Sequence, residues 1–153
     1  MPKIIKDNNS PKIIKTGDAT DPITGEVRVF LQISYTVELS FEDKSLIDSG
    51  IQFIEYIELL GFDQERQITN DYPYSSLDQI VHPIQILNDD PRVKTAIQNA
   101  KQADFPIKVD RERNIRVLRK FLKEDPTGDN EIVCKVSIFL GAIEIAKNPV
   151  LIQ

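Results

Sequence analysis

The stretch "KEDPTGDNEI", residues 123–132, crowds Glu124, Asp125, Asp129 and Glu131 into one short segment. Carboxylates at that density are hard oxygen donors, and the chemistry they suggest is calcium binding. Calcium takes about six to eight oxygens, more than one loop supplies. A site would have to recruit further loops, such as "LNDDP" with Asp89 and Asp90, or "GFDQE" with Asp63 and Glu65. The EF-hand spacing D-x-[DN]-x-[DN]-G is absent. Asp125, Asp129, Glu131, Asp89 and Asp90 are therefore the calcium candidates, to be gathered at one end of a sandwich fold. The competing reading is a turn. "DPITGE" at 21–26 and "DPTGDNE" at 125–131 each stand directly before a strongly alternating segment. Pro sets φ, Gly accepts positive φ and Asp bonds nearby amides, so turn chemistry explains the composition without a metal. The expectation is no cofactor, with calcium as the alternative.

A second constellation is basic. If "DRERNIRVLRKFLKE", residues 110–124, is a helix, Ile115, Leu118, Phe121 and Leu122 share its apolar face. Arg113, Arg116, Lys120 and Lys123 then line another face as an anion site for phosphate, nucleic acid or an acidic partner. Against that stand Glu112 and Glu124 nearby, a net charge of −5 and no interleaved aromatic platform. A solvated polar face is the expectation, and no nucleic-acid partner.

Catalytic chemistry finds few residues to use. His82 and Cys134 are the only histidine and cysteine. One of each cannot complete a tetrahedral zinc site. Cys134 falls on the inward side of a predicted strand, where a thiol is inert. The chain has no nucleophile elbow, P-loop, dinucleotide fingerprint, H-E-x-x-H or C-x-x-C. With 24 acidic residues a carboxylate pair such as Glu55 and Glu58 is the one catalytic option left, that of a hydrolase.

The elements that would position these groups are mainly strands. In "EVRVFLQISYTVELSF", 26–41, every odd position from Val27 to Phe41 is apolar or aromatic. The even positions are polar except Phe30, so one face of a long strand is buried. Its length predicts a bend, a bulge or membership of two sheets. "EIVCKVSIFL", 131–140, repeats the alternation through Ile132, Cys134, Val136, Ile138 and Leu140. "SGIQFIEYIELLGFDQERQI", 49–68, is apolar at both parities and rich in β-branched and aromatic residues, which predicts a further strand. "YSSLDQIV" predicts a short helical turn capped by Ser75. Asp90 and Pro91 predict the start of a helix with Val93, Ala96, Ile97 and Ala100 as its apolar stripe.

These elements predict a mainly β protein: an antiparallel β-sandwich with one or two helices inserted in the C-terminal half. "PKIIK" occurs at 2–6 and again at 11–15, which marks 1–16 as a flexible or arm-like N-terminal segment and 17–153 as one globular β-rich domain. The expectation is two short extended pieces around the polar turn "DNNS", each with Pro at its entrance; the functional alternative is an arm that adds a strand to a neighbouring subunit or slips between registers. No apolar run spans a bilayer, the start lacks a signal-peptide core, and a lone cysteine forms no internal disulfide. The expected location is cytoplasmic, and signal-less export is compatible with the same features. The expected function is a non-catalytic interaction or assembly module, with a protein partner or self-association. The alternatives are a calcium-dependent ligand- or membrane-binding sandwich and, behind it, a carboxylate-based hydrolase.

Overall fold

The computed structural model describes residues 1–63, 74–77, 84–122, 130–139, 142–146 and 148–152. In chain order these form β1 (Lys3–Ile4), β2 (Lys12–Thr20), β3 (Val27–Leu39), α1 (Phe41–Asp48), β4 (Ile54–Phe62), β5 (Tyr74–Ser76), β6 (Ile84–Ile86), α2 (Pro91–Asn99), β7 (Ile107–Leu118), β8 (Asn130–Phe139), β9 (Ala142–Ile145) and β10 (Val150–Ile152). All the strand pairs among the described residues are antiparallel.

The first sheet is built on β3. β7 pairs along its length, from Arg28↔Leu118 to Leu39↔Ile107. β1 and β2 follow one another along its other edge. In the second sheet β4 pairs with β8; β5 and β6 share the other edge of β4, and β9 and β10 share that of β8. The inner faces meet in one core. Val29, Leu31, Ile33, Tyr35, Val37 and Leu39 of β3 join Ile57 and Leu59 of β4 and Ile132, Cys134, Val136 and Ile138 of β8 there. Alternation produces this directly, because parity decides which side chains leave water.

The irregularity expected of so long a strand falls on its neighbour. β3 keeps unbroken register with β7, whereas β2 shifts register between Lys15 and Gly17. The polar-side exception, Phe30, lies opposite Arg116, whose guanidinium sits 5.2 Å from the ring centroid.

Several sequence expectations need correction. Residues 110–122 are no α-helix: 110–118 belong to β7 and 119–122 to a short 3₁₀ turn, and 123–124 lie outside the described residues. The strand predicted over 26–41 ends at Leu39, and Phe41 opens α1 instead. Ser40 caps that helix. Its Oγ accepts from Asp43 N at 3.1 Å, and Asp43 Oδ2 accepts from Ser40 N at 2.8 Å. The described α-helices thus fall one in each half of the chain rather than in the second alone. Ser75, expected to cap a helical turn, is a strand residue of β5, and 78–83 lie outside the described residues. α2 begins where predicted: Asp90 Oδ1 accepts from Arg92 N at 2.6 Å, and Val93 and Ile97 are buried.

Within residues 1–16 the two extended pieces expected around a polar turn are Lys3–Ile4 and the strand from Lys12, and both pair with β3. Both "PKIIK" copies occupy its edge in the same pose: Ile4 pairs with Val37 and Ile13 with Ile33, and both isoleucines are buried. Between them Asp7–Ser10 loops out, and Ser10 Oγ accepts from Thr36 N at 3.0 Å. The two docking points, Val37 and Ile33, have the same parity on β3, so the same side of each copy faces the core.

Ile33→Ala should lower the unfolding free energy by about 2–5 kcal/mol in urea denaturation, since Ile33 is wholly buried at the centre of the core. Ser34→Ala, on the outward face, should move it by no more than about 0.5 kcal/mol.

Candidate functional site

Among the described residues a cluster of charged side chains lies inside the sandwich. β4 places Glu55 at the parity of Ile57 and Leu59, so its side chain enters the core, and it is 0% exposed. β7 places Arg111 and Arg113 at the parity of Val109 and Val117, aimed inward from the facing sheet. Arg111 grips the carboxylate with both arms, Nε to Oε2 at 3.0 Å and Nη2 to Oε1 at 2.7 Å. Arg113 Nη1 adds a bond to Oε1 at 2.7 Å. Arg111 also donates to Gln85 Oε1 at 3.0 Å and pairs with Asp90 at the start of α2. Two guanidiniums and two carboxylates therefore balance, as buried charge requires.

Burial by itself pushes the Glu55 carboxyl up. The Arg111 hydrogen bonds, the neighbouring Tyr35 hydroxyl and the bond from Arg113 outweigh it and hold Glu55 below the ordinary carboxylate value. The Tyr35 hydroxyl feels that charge at close range but meets no acceptor in good hydrogen-bond geometry. Burial first, and then the Glu55 charge, push it far above its ordinary range. A carboxylate held ionised by two arginines is a poor proton acceptor, so the cluster is built to hold sheets together rather than to move protons.

The predicted site residues do not come together. Arg113 and Arg116 have opposite parity on β7, so the first is buried on Glu55 and the second lies outside on Phe30. Lys120 pairs with Glu26 at 3.2 Å, and Lys123 lies outside the described residues. The basic stripe required a helix, and the strand divides it. Of the calcium candidates, Asp90 is committed to capping α2 and to Arg111, Asp89 is exposed in the 3₁₀ turn before it, and Glu131 is half-buried on β8. Asp125 and Asp129 lie outside the described residues, as does His82. Among the described residues no group of three or more His, Cys, Asp or Glu side chains converges. The sister turn "DPITGE" is described: Asp21 Oδ1 accepts from Ile23 N at 2.8 Å and Thr24 N at 3.2 Å, and Gly25 takes φ 74°. Those amide bonds hold Asp21 below its ordinary range.

Strand parity also separates the carboxylate pair. Glu55 faces the core and Glu58 the outside of the same strand, so they cannot flank one substrate. Burial pushes the Cys134 thiol up to about 12, which keeps it protonated at neutral pH. Surface cavities are present among the described residues, two of which are well formed. One of about 390 Å³ is lined by Phe41, Phe105, Gln102, Ser40, Glu38 and Lys3. The other, about 190 Å³, lies beside Glu26 and Lys120. Neither is lined by a buried polar side chain without a partner.

What the sequence reading missed is the outer face of the second sheet. Ile54 of β4 is the register partner of Phe139 on β8 and of Ile86 on β6. In the next row but one Tyr56 has Ser137 on one side and Ile84 on the other. Paired residues share a face, so Phe139, Ile54, Ile86, Tyr56 and Ile84 form one continuous apolar surface. Phe139 is 60% and Ile84 65% exposed. Farther along the same face Leu60 and Val133 are buried, so the exposure is confined to one end. The outer face of the first sheet is more polar where β3 meets β7, with Gln32 bonded to Glu112 at 2.9 Å and Thr36 to Asp110 at 2.9 Å; Phe30 lies there under Arg116, and Ile14 is exposed on β2. Apolar residues at both parities of β4 were the available signal, but they read equally well as burial on both sides.

No family model, curated protein or solved structure matches this chain. Among the described residues no helix is long and apolar enough to cross a membrane.

Glu55→Gln removes the one anion shared by two buried guanidiniums and should cost about 3–5 kcal/mol at neutral pH. The sign of the pH effect follows from the lowered value in the folded state. Stability from ionised Glu55 is complete above the unfolded value of 4.5 and is lost as pH falls through the lower folded value. Wild-type stability in urea should therefore fall more steeply on acidification than that of Glu55→Gln, and the two curves should converge in acid. Parallel curves would remove Glu55 from that role.

Proposed function

We propose that this protein is a non-catalytic interaction module that docks through the apolar end of its second sheet. The observation that supports this reading is the row Phe139–Ile54–Ile86 with Tyr56 and Ile84 beside it. Its two most exposed members, Phe139 and Ile84, leave more than half their surface in water. Contiguous exposed apolar surface on a folded domain marks a site that another molecule covers. Its placement on regular strands suits binding, because the backbone beneath is already hydrogen-bonded and little order is lost on contact. The charged groups of the molecule offer less: the buried cluster is satisfied internally, and the surface cations described above lie on separate faces.

The test is the native size of the protein in an extract of cells that express it, compared with Phe139→Ser/Ile84→Ser. Both side chains are largely exposed, so the double variant should melt within a few degrees of wild type. Wild type should elute as a larger species and the variant as a monomer. Elution of wild type at monomer size, or an unchanged complex in the variant, would reject this surface.

A further inference from the structure

We infer that the occupant of this surface is a second copy of the same chain, packed face to face about a two-fold axis that lies between the two copies, directly over the seam between β4 and β8 and parallel to it. This identity rests on the docking surface proposed above and adds the partner to it.

Shape gives the first argument. The apolar residues are register partners across three neighbouring strands, so they form a pleated sheet face rather than a groove. A flat face of this kind is complemented by another flat apolar layer, and a second copy of the same sheet supplies one at the usual spacing of stacked sheets.

Charge gives the second. Beyond Tyr56 and Ser137 on the same outer face stand Glu58 on β4 and Lys135 on β8, again register partners. Opposite signs thus stand side by side at the edge of the apolar surface, on a chain whose net charge is −5. A strongly basic or acidic partner meets attraction and repulsion together there. A second copy does not. An isologous contact sets residue i against j and j against i. A two-fold along the β4–β8 seam exchanges the two strands without shifting rows. Ile54 of one copy then meets Phe139 of the other, Tyr56 meets Ser137, and Glu58 meets Lys135. Each of these contacts occurs twice. One symmetry operation therefore satisfies apolar and charged residues together, and the strand register alone specifies it.

The test uses the full chain, purified, with mass read by sedimentation across a wide range of concentration. Wild type should form dimers and Phe139→Ser monomers. Glu58→Lys alone and Lys135→Glu alone should each be monomeric, because every contact between identical copies would then join like charges. An equimolar mixture of the two should form a heterodimer. In it the lysine introduced at position 58 of one chain meets the glutamate introduced at position 135 of the other. The native Lys135 of the first chain meets the native Glu58 of the second. A heterodimer that forms only on mixing supports the two-fold pairing, because the contact within one chain is disrupted equally in both variants. Purified wild type that stays monomeric overturns it, as do dimers that survive each single charge reversal. If purified wild type is a monomer yet elutes as a larger, Phe139-dependent species in the extract, the partner is a different molecule and the docking surface stands. If it is a monomer in both, the docking surface falls as well.

Discussion

One carboxylate, that of Glu55, sits where the two sheets would otherwise meet through apolar side chains alone. It is reached by two arginines of the facing sheet and stabilised further by the α2 terminus through Arg111 and Asp90. Such a cluster is weak evidence for added stability, since desolvating the charges offsets most of their attraction. Its physical effect is on register. Slipping β7 by two residues would keep every side chain on its face, so alternation alone does not penalise the error. The same slip would put Val109 or Ile115 in place of an arginine near Glu55 and leave buried charge without a partner. That discrimination falls where it is needed, because β7 is the outer strand of its sheet. Inward-pointing charge is also one of the known means of keeping an edge strand from pairing with another chain.

The opposite edge of the first sheet is managed differently. β3 carries β1 and β2 in turn, and the two "PKIIK" copies dock at Val37 and Ile33. An edge covered by two pieces with a loop between them, and with a register shift at Lys15/Gly17, presents no long regular ladder to a neighbour. Both edges of the first sheet are thus blunted, and the β3–β7 part of its outer face is mostly polar. The second sheet differs: its outer face is apolar at one end. On the proposed reading, contact with another molecule is directed by what the first sheet suppresses as much as by what the second exposes.

Legibility in the sequence followed the same physics. β3 and β8 were readable because uninterrupted alternation has one cause, a single buried face, and Cys134 took its inert role from that parity. The α2 start was readable because Asp90 and Pro91 act locally. β7 was not. Arg111 and Arg113 occupy inward positions, so its period of two was disguised, while Ile115, Leu118, Phe121 and Leu122 happen to recur at helical spacing. Carboxylates distant in sequence, Glu55 at 56 residues away and Asp90 at 21 away, make Arg111 acceptable inside. α1 was hidden by a different coincidence: Phe41 extends the parity of β3, and the capping box of Ser40 and Asp43 lies just where the alternation still looks unbroken. The same Ser-x-x-Asp spacing at Ser75 begins no helix there, because β4 pairs with that segment as a strand.

The proposed docking surface was the least legible feature, and the reason bears on the partner proposed for it. Its members come from β4, β6 and β8, and only pairing brings them together. Along β4 the outward residues Ile54, Tyr56 and Leu60 look alike as a sequence, yet Leu60 is buried and Ile54 is not. What separates them is whether the rest of the molecule reaches over the sheet. A fold that encloses Leu60 and Val133 but stops short of Ile54 and Phe139 leaves an apolar surface whose cost in water is relieved by association. The residues at its border then decide with what. Glu58 and Lys135 stand next to each other, so the face as a whole has no sign, while each half of it has one. A neutral surface made of complementary halves discriminates against partners of uniform charge and in favour of its own image.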